Sequence, residues 1–443
     1  MKLKTFIKGG VHPPENKISA GEKIVEVPLP KTVYVPVQQV LGAPSVPVVK
    51  KGDRVKTGQL IAKGEAFISA NVHSPATGTV SKIEEVTDSS GYRKTTIIID
   101  TEADEWEEGI ITDKGIQREC TLSPEEIISK IKSAGIVGMG GATFPTHVKL
   151  MVPPDKKAEL LLINGVECEP YLTSDHRLML ERGEELMAGI QILMKALKVE
   201  KAIIGIENNK KDAIAHLDAL SRSFSGISVQ ALKVKYPQGG EKQLIKAITG
   251  REVPSGKLPV EVGCVVQNVG TAVAVYEAVQ KNKPLIERIV TVSGFVSHPA
   301  NYLTRIGTPV SVLLELSGGI PEKAGKIING GPMMGKAVNN AEVPVTKGTS
   351  GILVFPEDIS LRHEPITCIR CSKCVQACPM SLEPYYLAQL SEIKDWEKCE
   401  KNMVMDCIEC GSCMYVCPSY RPLLDYIRMG KTQVGKIIRS RVK

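Results

Sequence analysis

The chain has 443 residues, enough for about three domains, and its composition is 42% hydrophobic and 24% charged, which is ordinary for a globular protein. These values exclude a largely disordered chain and a collagen-like one. No apolar run approaches the roughly 18 residues that a membrane-spanning helix needs, and the N-terminus carries no apolar segment of a secretory signal. We therefore expect a chain that neither spans a membrane nor is secreted.

The positive charge is concentrated at the C-terminal end. The formal net charge is +7, and no acidic side chain occurs after residue 427. The basic residues of this stretch are Arg428, Lys431, Lys436, Arg439, Arg441 and Lys443. Because the rest of the chain is near neutral, we expect no nucleic-acid partner. The basic tail, residues 426–443, is either a solvated end or a segment that docks on anionic lipid or on an acidic partner surface.

The first hundred residues predict an irregular opening, residues 1–30, followed by a small β domain, residues 31–105. The opening contains FIKGGVHPPE (6–15), whose paired glycines and prolines favour irregular backbone, and His12 is interpreted as structural. The turns GDRVKTGQ (52–59) and VHSPATGTV (72–80) between short strands resemble those of lipoyl and biotinyl domains. Such domains carry a cofactor on a hairpin lysine. Residues 64–71 contain no lysine, so we predict a barrel-sandwich domain without the swinging arm.

Residues 110–283 alternate apolar strands with amphipathic helices. Ser123 precedes a proline and two glutamates, which predicts a capped helix start. Apolar runs at 159–165 and 201–206 predict buried strands, and a helical periodicity at 186–197 lies between them. This alternation predicts a parallel α/β sheet, which binds its ligands at the carboxyl ends of the strands.

Three motifs fall where such strands end. The first is the glycine-rich turn GMGGATFPTHVK (138–149), whose backbone can approach a phosphate and whose Lys149 adds a positive charge. The second is NGVECEP (164–170), which places acids and an amide after a strand. The third combines YPQGGEKQL (236–244) with QNVGT (267–271). Each motif alone is also compatible with an ordinary turn.

Residues 284–350 contain a further group of short apolar runs. The runs 288–292 and 310–314 have the composition of strands, and glycine turns such as NGGP (329–332) separate them. We predict a small β-grasp, soluble ligand-binding module that packs beside the preceding domain.

Cysteines define the C-terminal region. Of the 12 cysteines, eight form two copies of the pattern C-x2-C-x2-C-x3-C-P within residues 368–418. A disulfide framework is not expected in a reducing compartment, and zinc uses paired knuckles separated by a longer loop. The spacing is that of bacterial ferredoxins, in which the fourth cysteine of each run ligates the other [4Fe–4S] cluster.

This exchange of the fourth cysteine defines two ligand sets in a ferredoxin-like helical domain, residues 358–425. One cluster is assigned to Cys368, Cys371, Cys374 and Cys417, and the other to Cys407, Cys410, Cys413 and Cys378. Cys399 lies between the two runs and is interpreted as a spare structural thiol.

Together and in order, these motifs resemble the flavoprotein subunit of respiratory complex I and, more closely, the family of C subunits of the Rnf complex, a ferredoxin:NAD oxidoreductase of bacterial membranes. The resemblance extends over nearly the whole chain and includes NGVECEPYLTSDHR (164–177) and both cysteine runs. It implies FMN contacts at Gly138, Gly140, Lys149, Asn164, Glu167, Gly239, Asn268 and Thr271. It implies nicotinamide-nucleotide contacts at Phe144 and Glu169. The chain departs from the complex I pattern, which has Asp, Ser, Glu and Asn, at Val166, Cys168, Gly240 and Gln267.

The resemblance implies an electron-transfer function. Nicotinamide exchanges two electrons at once and an iron–sulfur cluster exchanges one, so a flavin must stand between them. We expect an ion-translocating oxidoreductase subunit that binds two [4Fe–4S] clusters, FMN and NAD(H). It would lie peripherally on the cytoplasmic face of the inner membrane, against membrane-embedded and ferredoxin-like Rnf subunits. A corrin reductase of the propanediol-microcompartment type and a non-enzymatic ferredoxin scaffold are the alternatives, and the GGVHPPE opening and the domain order favour Rnf.

The expected architecture is therefore multidomain α/β and α+β. In chain order it has a barrel-sandwich hybrid, a parallel α/β flavin and nucleotide domain, a β-grasp module and a helical domain with two [4Fe–4S] clusters.

Overall fold

Residues 31–105 form two small antiparallel sheets around one apolar core in the computed structural model, which describes residues 2–441. A short strand, β1 (Ile24–Glu26), precedes them. The strands are β2 (Thr32–Pro36), β3 (Val46–Pro47), β4 (Arg54–Val55), β5 (Leu60–Lys63), β6 (Val72–His73), β7 (Gly78–Thr87) and β8 (Arg93–Thr101). One sheet has the order β2-β8-β7-β4 and the other has the order β3-β5-β6. Val33, Ile61 and Ile97, which come from both sheets, are buried together, as the predicted barrel-sandwich requires.

The central domain is a four-stranded parallel sheet of order β11-β10-β9-β12 with helices on both faces. Its strands are β9 (Leu160–Asn164), β10 (Ala202–Glu207), β11 (Ile227–Leu232) and β12 (Cys264–Asn268). Its helices are α1 (Pro124–Ser133), α2 (Thr146–Leu150), α3 (Ser174–Glu181), α4 (Gly183–Leu197), α5 (Lys211–Ser221), α6 (Glu241–Thr249) and α7 (Val269–Gln280). Helices α4 and α7 pack on one face and α6 packs on the other. Both strands predicted here and the predicted helix between them are confirmed.

The predicted start of α1 is also confirmed. The Ser123 hydroxyl accepts a hydrogen bond from the Glu126 backbone N–H, and the Glu126 carboxylate accepts one from the Ser123 backbone N–H. This reciprocal pair satisfies two donors that a helix start would otherwise leave free.

A six-stranded mixed sheet of order β1-β14-β13-β17-β15-β16 follows. Its later elements are β13 (Glu287–Gly294), β14 (Ala300–Arg305), α8 (Val310–Leu316), β15 (Ala324–Asn329), β16 (Lys336–Val338), β17 (Gly351–Pro356) and α9 (Glu357–Ser360). Strand β1 pairs in parallel with β14, with Ile24 opposite Asn301. The N-terminal segment therefore completes a sheet formed mostly by residues 287–356.

The prediction of a strand at residues 310–314 is wrong, because α8 occupies this stretch. Short runs of valine and leucine are compatible with either a strand or a buried helix. Val310, Leu313 and Leu314 are buried in one core with residues of the sheet, and this spacing places them on one face of a helix. Packing of that face decides the local structure.

The cysteine-rich region is helical. Its helices are α10 (Lys373–Ala377), α11 (Pro384–Glu392), α12 (Trp396–Lys401), α13 (Ser412–Tyr415) and α14 (Leu423–Arg441). Their buried side chains form one core that includes Leu387, Cys399 and Ile427. Within residues 2–441, no helix combines the length and the apolar character needed to cross a membrane.

The predicted basic tail is not a separate segment. Helix α14 runs through the expected boundary between residues 425 and 426, and Val434 in its second half is fully buried. Three basic side chains of this helix form ion pairs with the rest of the domain: Arg428 and Lys431 with Glu409, at 3.2 Å and 3.0 Å, and Arg441 with Glu400 at 2.7 Å. Residues 426–441 therefore belong structurally to the cysteine-rich domain, and Lys443 lies outside the described residues.

Candidate functional site

The predicted flavin residues meet at the carboxyl ends of β9 and β12. Asn164 and Asn268 are the last residues of these strands and lie opposite each other in register. The Asn164 side chain donates a hydrogen bond from Nδ2 to the carbonyl of Gly239 at 2.8 Å. The Asn268 side chain donates from Nδ2 to Asp175 at 2.7 Å and accepts from the Gly270 N–H at 2.8 Å, where it caps α7. Loops from three parts of the domain therefore converge on this pair of amides.

The glycine-rich turn lies against the same strand ends. The Met139 N–H donates to the Thr271 hydroxyl at 2.9 Å, which joins the turn to the first turn of α7. A Cβ at Gly140 would lie 2.9 Å from the amide nitrogen of Asn268, whereas a Cβ at Gly141 would meet nothing within 4 Å. The turn is therefore tight against the strand end on one side and open on the other, as a backbone cradle for a ligand requires.

Lys149, at the far end of this motif, forms an ion pair at the start of α6. Its Nζ lies 2.7 Å from Glu241 Oε1 and 3.2 Å from the Val266 carbonyl oxygen. Glu241 is the first residue of α6, and Gly240 before it has no side chain to cap the helix. A lysine, the N–H groups of an uncapped helix start and an open glycine turn are all groups that bind phosphate. The Lys149 ammonium is paired with the Glu241 carboxylate, which a phosphate at this place would have to displace.

Glu167 has a structural role at this site. It has a left-handed backbone conformation with φ of 47°. Its carboxylate accepts hydrogen bonds from the backbone N–H groups of Asp175 at 2.7 Å and His176 at 3.2 Å, at the start of α3. Glu167 therefore holds the N-terminus of α3 next to Asn164 and Asn268.

The two predicted nucleotide residues lie in different surroundings. Phe144 closes the glycine-rich turn, because its carbonyl accepts from the Gly138 N–H at 2.8 Å. Glu169 accepts hydrogen bonds from the backbone N–H groups of Met333 at 3.0 Å and Met334 at 2.8 Å. Burial raises the pKa of Glu169 to about 7. Only Phe144 thus lies in the glycine-rich turn, while both oxygens of Glu169 bind the 333–334 loop.

Two ionisable residues at the site, the half-buried Asp175 and the buried Arg288, were not predicted from the sequence. Burial raises the pKa of Asp175 to about 7, and the hydrogen bond from Asn268 and the charge of Arg288 oppose this rise. Arg288 comes from β13 of the next domain, and its guanidinium donates to the carbonyls of Met139, at 2.7 Å, and Lys347. Asp175 lies in the TSDHR stretch that carried the resemblance, so it could have been found. No local pattern in the sequence marks Arg288.

The cysteine-rich domain contains a small apolar cavity of about 20 Å³. Its lining comprises four thiols and apolar residues: Cys378, Cys407, Cys410, Cys413, Pro379, Met380, Leu382, Pro384, Leu387, Ile408, Gly411, Leu424 and Ile427. Burial raises the pKa of Cys407 to about 11, and the charges of Cys410 and Cys378 contribute to the rise. Within residues 2–441, no three His, Cys, Asp or Glu side chains are grouped to hold a single metal ion. Four thiols around one apolar cavity are instead a donor set that fits an iron–sulfur cluster.

The remaining cysteines of the two runs lie nearer the surface. Cys371 is exposed and Cys368 is partly buried. Cys374, from the first run, and Cys417, from the second, are partly buried against the same apolar core of the domain. Cys399 is buried at 3.6 Å from the Ser391 hydroxyl.

One loop of the central domain connects the two candidate sites. The Tyr236 hydroxyl donates to the Cys410 carbonyl at 2.8 Å. In the same loop, the Gly239 N–H donates to Cys168 Sγ at 3.3 Å, and the Gly239 carbonyl binds Asn164. The strand-end site and the cysteine-lined cavity are therefore separated by a single loop.

Family models match four segments of the chain. Residues 5–104 match the RnfC barrel sandwich hybrid domain and residues 131–277 match the Nuo51 FMN-binding domain. Residues 289–337 match the SLBB domain and residues 360–418 match a 4Fe-4S dicluster domain. The chain therefore has an FMN-binding domain and an iron–sulfur domain in the predicted order.

Two curated relatives match almost end to end. The C subunit of the proton-translocating ferredoxin:NAD(+) oxidoreductase complex of Clostridium ljungdahlii is 48% identical over 97% of this chain and 94% of its own length. The C subunit of the Na(+)-translocating ferredoxin:NAD(+) oxidoreductase complex of Acetobacterium woodii is 44% identical over 98% of each chain. An air-oxidised NAD+-reducing [NiFe]-hydrogenase structure shares the fold, with a TM-score of 0.50 and 20% identity over 70% of this chain and 63% of that chain.

Proposed function

Because the chain belongs to the family of C subunits of ion-translocating ferredoxin:NAD(+) oxidoreductase complexes, we propose that it transfers electrons between NAD(H), FMN and two [4Fe–4S] clusters. It is an oxidoreductase subunit of an ion-translocating complex. FMN, when bound, converts between two-electron exchange with a nicotinamide and one-electron exchange with a cluster. The residues of this chain bind and align the cofactors and set the distances between them.

The observation that carries the proposal is the contact between the two sites. Tyr236 and Gly239 lie in one loop, and this loop contacts both Cys410 and Asn164. Electron transfer between two cofactors requires that they lie close together, and this loop is the short path between the strand ends and the cysteine-lined cavity. We therefore place FMN at the strand ends and its nearest cluster in that cavity.

The proposed FMN residues are Gly138, Gly140, Lys149, Asn164, Glu167, Gly239, Asn268 and Thr271. Lys149 and the glycine-rich turn would hold the phosphate, with the Lys149 ammonium exchanging the Glu241 carboxylate for it and the open side of the turn supplying backbone N–H groups. For NAD(H), Phe144 is the proposed contact. Glu169 would have to release the N–H groups of Met333 and Met334 before it could bind a nucleotide.

For the clusters we propose the ligand exchange that the sequence predicted. The inner cluster, next to the flavin domain, would be held by Cys407, Cys410, Cys413 and Cys378, and the shared cavity of these thiols supports this set. The outer cluster would be held by Cys368, Cys371, Cys374 and Cys417. The exposure of Cys371 makes this cluster the exit toward a partner protein.

The expected partners are the other subunits of the complex, membrane-embedded and ferredoxin-like, with the chain lying peripherally on the cytoplasmic face of the membrane. The absence of a membrane-crossing helix within residues 2–441 is compatible with this placement. Both near-full-length relatives belong to such complexes, which argues against the corrin-reductase alternative. The other alternative, that the chain is a non-enzymatic ferredoxin scaffold that binds no flavin, is tested by measuring the flavin content.

The experiment measures flavin and iron in purified variants. Lys149→Ala and Gly140→Val should lower the FMN content of the purified protein while the iron content stays at the wild-type value. Lys242→Ala is the matched control, because the Lys242 Nζ contacts the Pro254 carbonyl instead of the turn. Unchanged FMN content in both test variants would place the flavin elsewhere, and wild-type protein without flavin would support the scaffold.

A further inference from the structure

The FIKGGVHPPE opening motif has no part in the proposed electron transfer, yet it lies between the two cofactor sites. Val11 and Tyr236 exchange two backbone hydrogen bonds, of 2.8 Å and 2.9 Å. One residue earlier, the Gly10 N–H donates to the Ala377 carbonyl at 2.9 Å. The same short stretch thus binds the flavin domain through Tyr236 and the cysteine-rich domain through Ala377.

Gly9 contacts the backbone of Cys378, one of the thiols that line the cavity. It has a left-handed conformation with φ of 64°, which favours glycine. A Cβ at Gly9 would overlap the carbonyl oxygen of Cys378 and lie 2.7 Å from the nitrogen of Pro379. Any larger residue at position 9 must therefore displace the Cys378–Pro379 peptide or move the opening segment away from it.

The opening segment is itself anchored firmly on the flavin domain. Phe6 is only 2% exposed, and Lys235 Nζ lies 4.2 Å from the centre of its ring. The same ammonium group donates to the carbonyls of Phe6 at 3.2 Å and Ile7 at 3.3 Å. Because the opening segment is anchored, it cannot move away when a side chain is added at Gly9. The backbone of Cys378 must move instead.

We propose that residues 4–11 form a clasp that fixes Cys378 against the flavin domain, with Gly9 as its positioning residue. The clasp sets where the fourth thiol of the inner cluster lies and how far that cluster is from the flavin. This inference rests on the proposed assignment of Cys378 to the inner cluster. Because the contact is local, the outer cluster and the FMN site should not depend on it.

The test compares Gly9→Ala with Gly256→Ala. Gly256 has nearly the same backbone strain, with φ of 67°, but a Cβ there meets nothing within 4 Å, so the comparison isolates the contact with Cys378. By electron paramagnetic resonance of the reduced protein, Gly9→Ala should shift or lose one of the two cluster signals and keep the other. FMN content should stay at the wild-type value, and Gly256→Ala should match wild type throughout. Two unaltered cluster signals in Gly9→Ala would overturn the clasp.

A third variant separates failure of the clasp from failure of the ligand assignment. Cys378→Ser should remove the same signal that Gly9→Ala alters. If Cys378→Ser removes a signal that Gly9→Ala leaves intact, the clasp is wrong and the ligand set stands. If Cys378→Ser leaves both signals, the ligand set is wrong, and the clasp is overturned with it.

A measurement on the wild-type chain decides the question if Gly9→Ala does not fold. Coupling between two sites is reciprocal, so a clasp that positions the cluster must in turn be held by it. Hydrogen exchange of peptides that span residues 4–14 should speed up at least about tenfold when the iron is removed by a chelator, whereas peptides of β10 should not change. Equal exchange with and without iron would overturn the proposal.

Discussion

Arg288 offers the sharpest test of how the flavin site is held. This side chain is 4% exposed, and it reaches from β13 to the carbonyls of Met139, at 2.7 Å, and Lys347. Replacing it by methionine leaves both buried carbonyls without a donor, at a cost of about 1.5–3 kcal/mol for each charge-assisted bond. Met139 lies in the glycine-rich turn, so the loss of its bond to Arg288 should reduce the free energy of FMN binding by the same amount. The affinity for FMN should therefore fall about 10-fold to 100-fold.

The assay is FMN titration of the flavin-depleted protein, followed by fluorescence quenching. Arg288→Lys keeps the charge but cannot bridge two carbonyls, so it should fall between wild type and Arg288→Met. Arg305→Met is the control from the neighbouring strand β14, because Arg305 binds the Pro75 carbonyl and Asp104 in the barrel-sandwich domain. Wild-type FMN affinity in Arg288→Met, or an equal loss in Arg305→Met, would refute the idea that Arg288 positions the turn.

Three further predictions concern the clusters, α14 and pH. Cys371→Ser should remove one cluster signal, whereas Cys399→Ala should leave iron content unchanged; loss of both clusters in either variant would contradict the assignment. Deletion of residues 430–443 should lower the thermal midpoint, because it removes the buried Val434 from the core; an unchanged midpoint would mean that the end of α14 contributes no stability. Burial raises the pKa of Asp175 to about 7 from its usual 3.8, so this carboxyl favours folding at low pH and loses that contribution as the pH rises through about 7. In the wild type, the free energy of unfolding should therefore fall between about pH 4 and 7, and Asp175→Asn should make this fall shallower. Urea titrations at several pH values measure it, and the same slope in both proteins would contradict the raised pKa of Asp175.

Local sequence patterns predicted helices and strands correctly where the packing of the folded chain favours the same local structure. The capping box at Ser123 and the apolar runs of β9 and β10 carry their own signals. At residues 310–314 the composition fits a strand, but the buried face of α8 follows helical spacing. The pairing of β1 with β14 joins Ile24 to Asn301, and no local feature of either strand specifies a partner so distant in the chain.

The residues of the candidate sites also fall into two groups: those with a local signal in the sequence and those that depend on how the domains pack. Fixed spacing marks the two cysteine runs and the glycine-rich turn as candidates in the sequence, and the structure brings four of the eight thiols around one cavity. Arg288 was not predictable, since its contact with Met139 depends on how two domains pack. The contact of Gly9 with Cys378 was hidden for the same reason, although the paired glycines did indicate special backbone there.

Composition alone places a boundary at residue 426, which α14 crosses without a break. A run of basic residues without acids suggested a segment apart from the fold. The acidic partners of Arg428 and Arg441 come from elsewhere in the domain, Glu409 and Glu400, and only the folded chain brings them together.

The measurement that most directly tests electron transfer through this chain is the oxidation of its reduced form by NAD+. The protein is purified anaerobically, reduced with dithionite, freed of excess reductant and mixed with NAD+. If the clusters, FMN and NAD(H) form one path, both cluster signals should decay while the absorbance of NADH rises. Reoxidation of the flavin with both clusters still reduced, or the absence of NADH, would contradict the account.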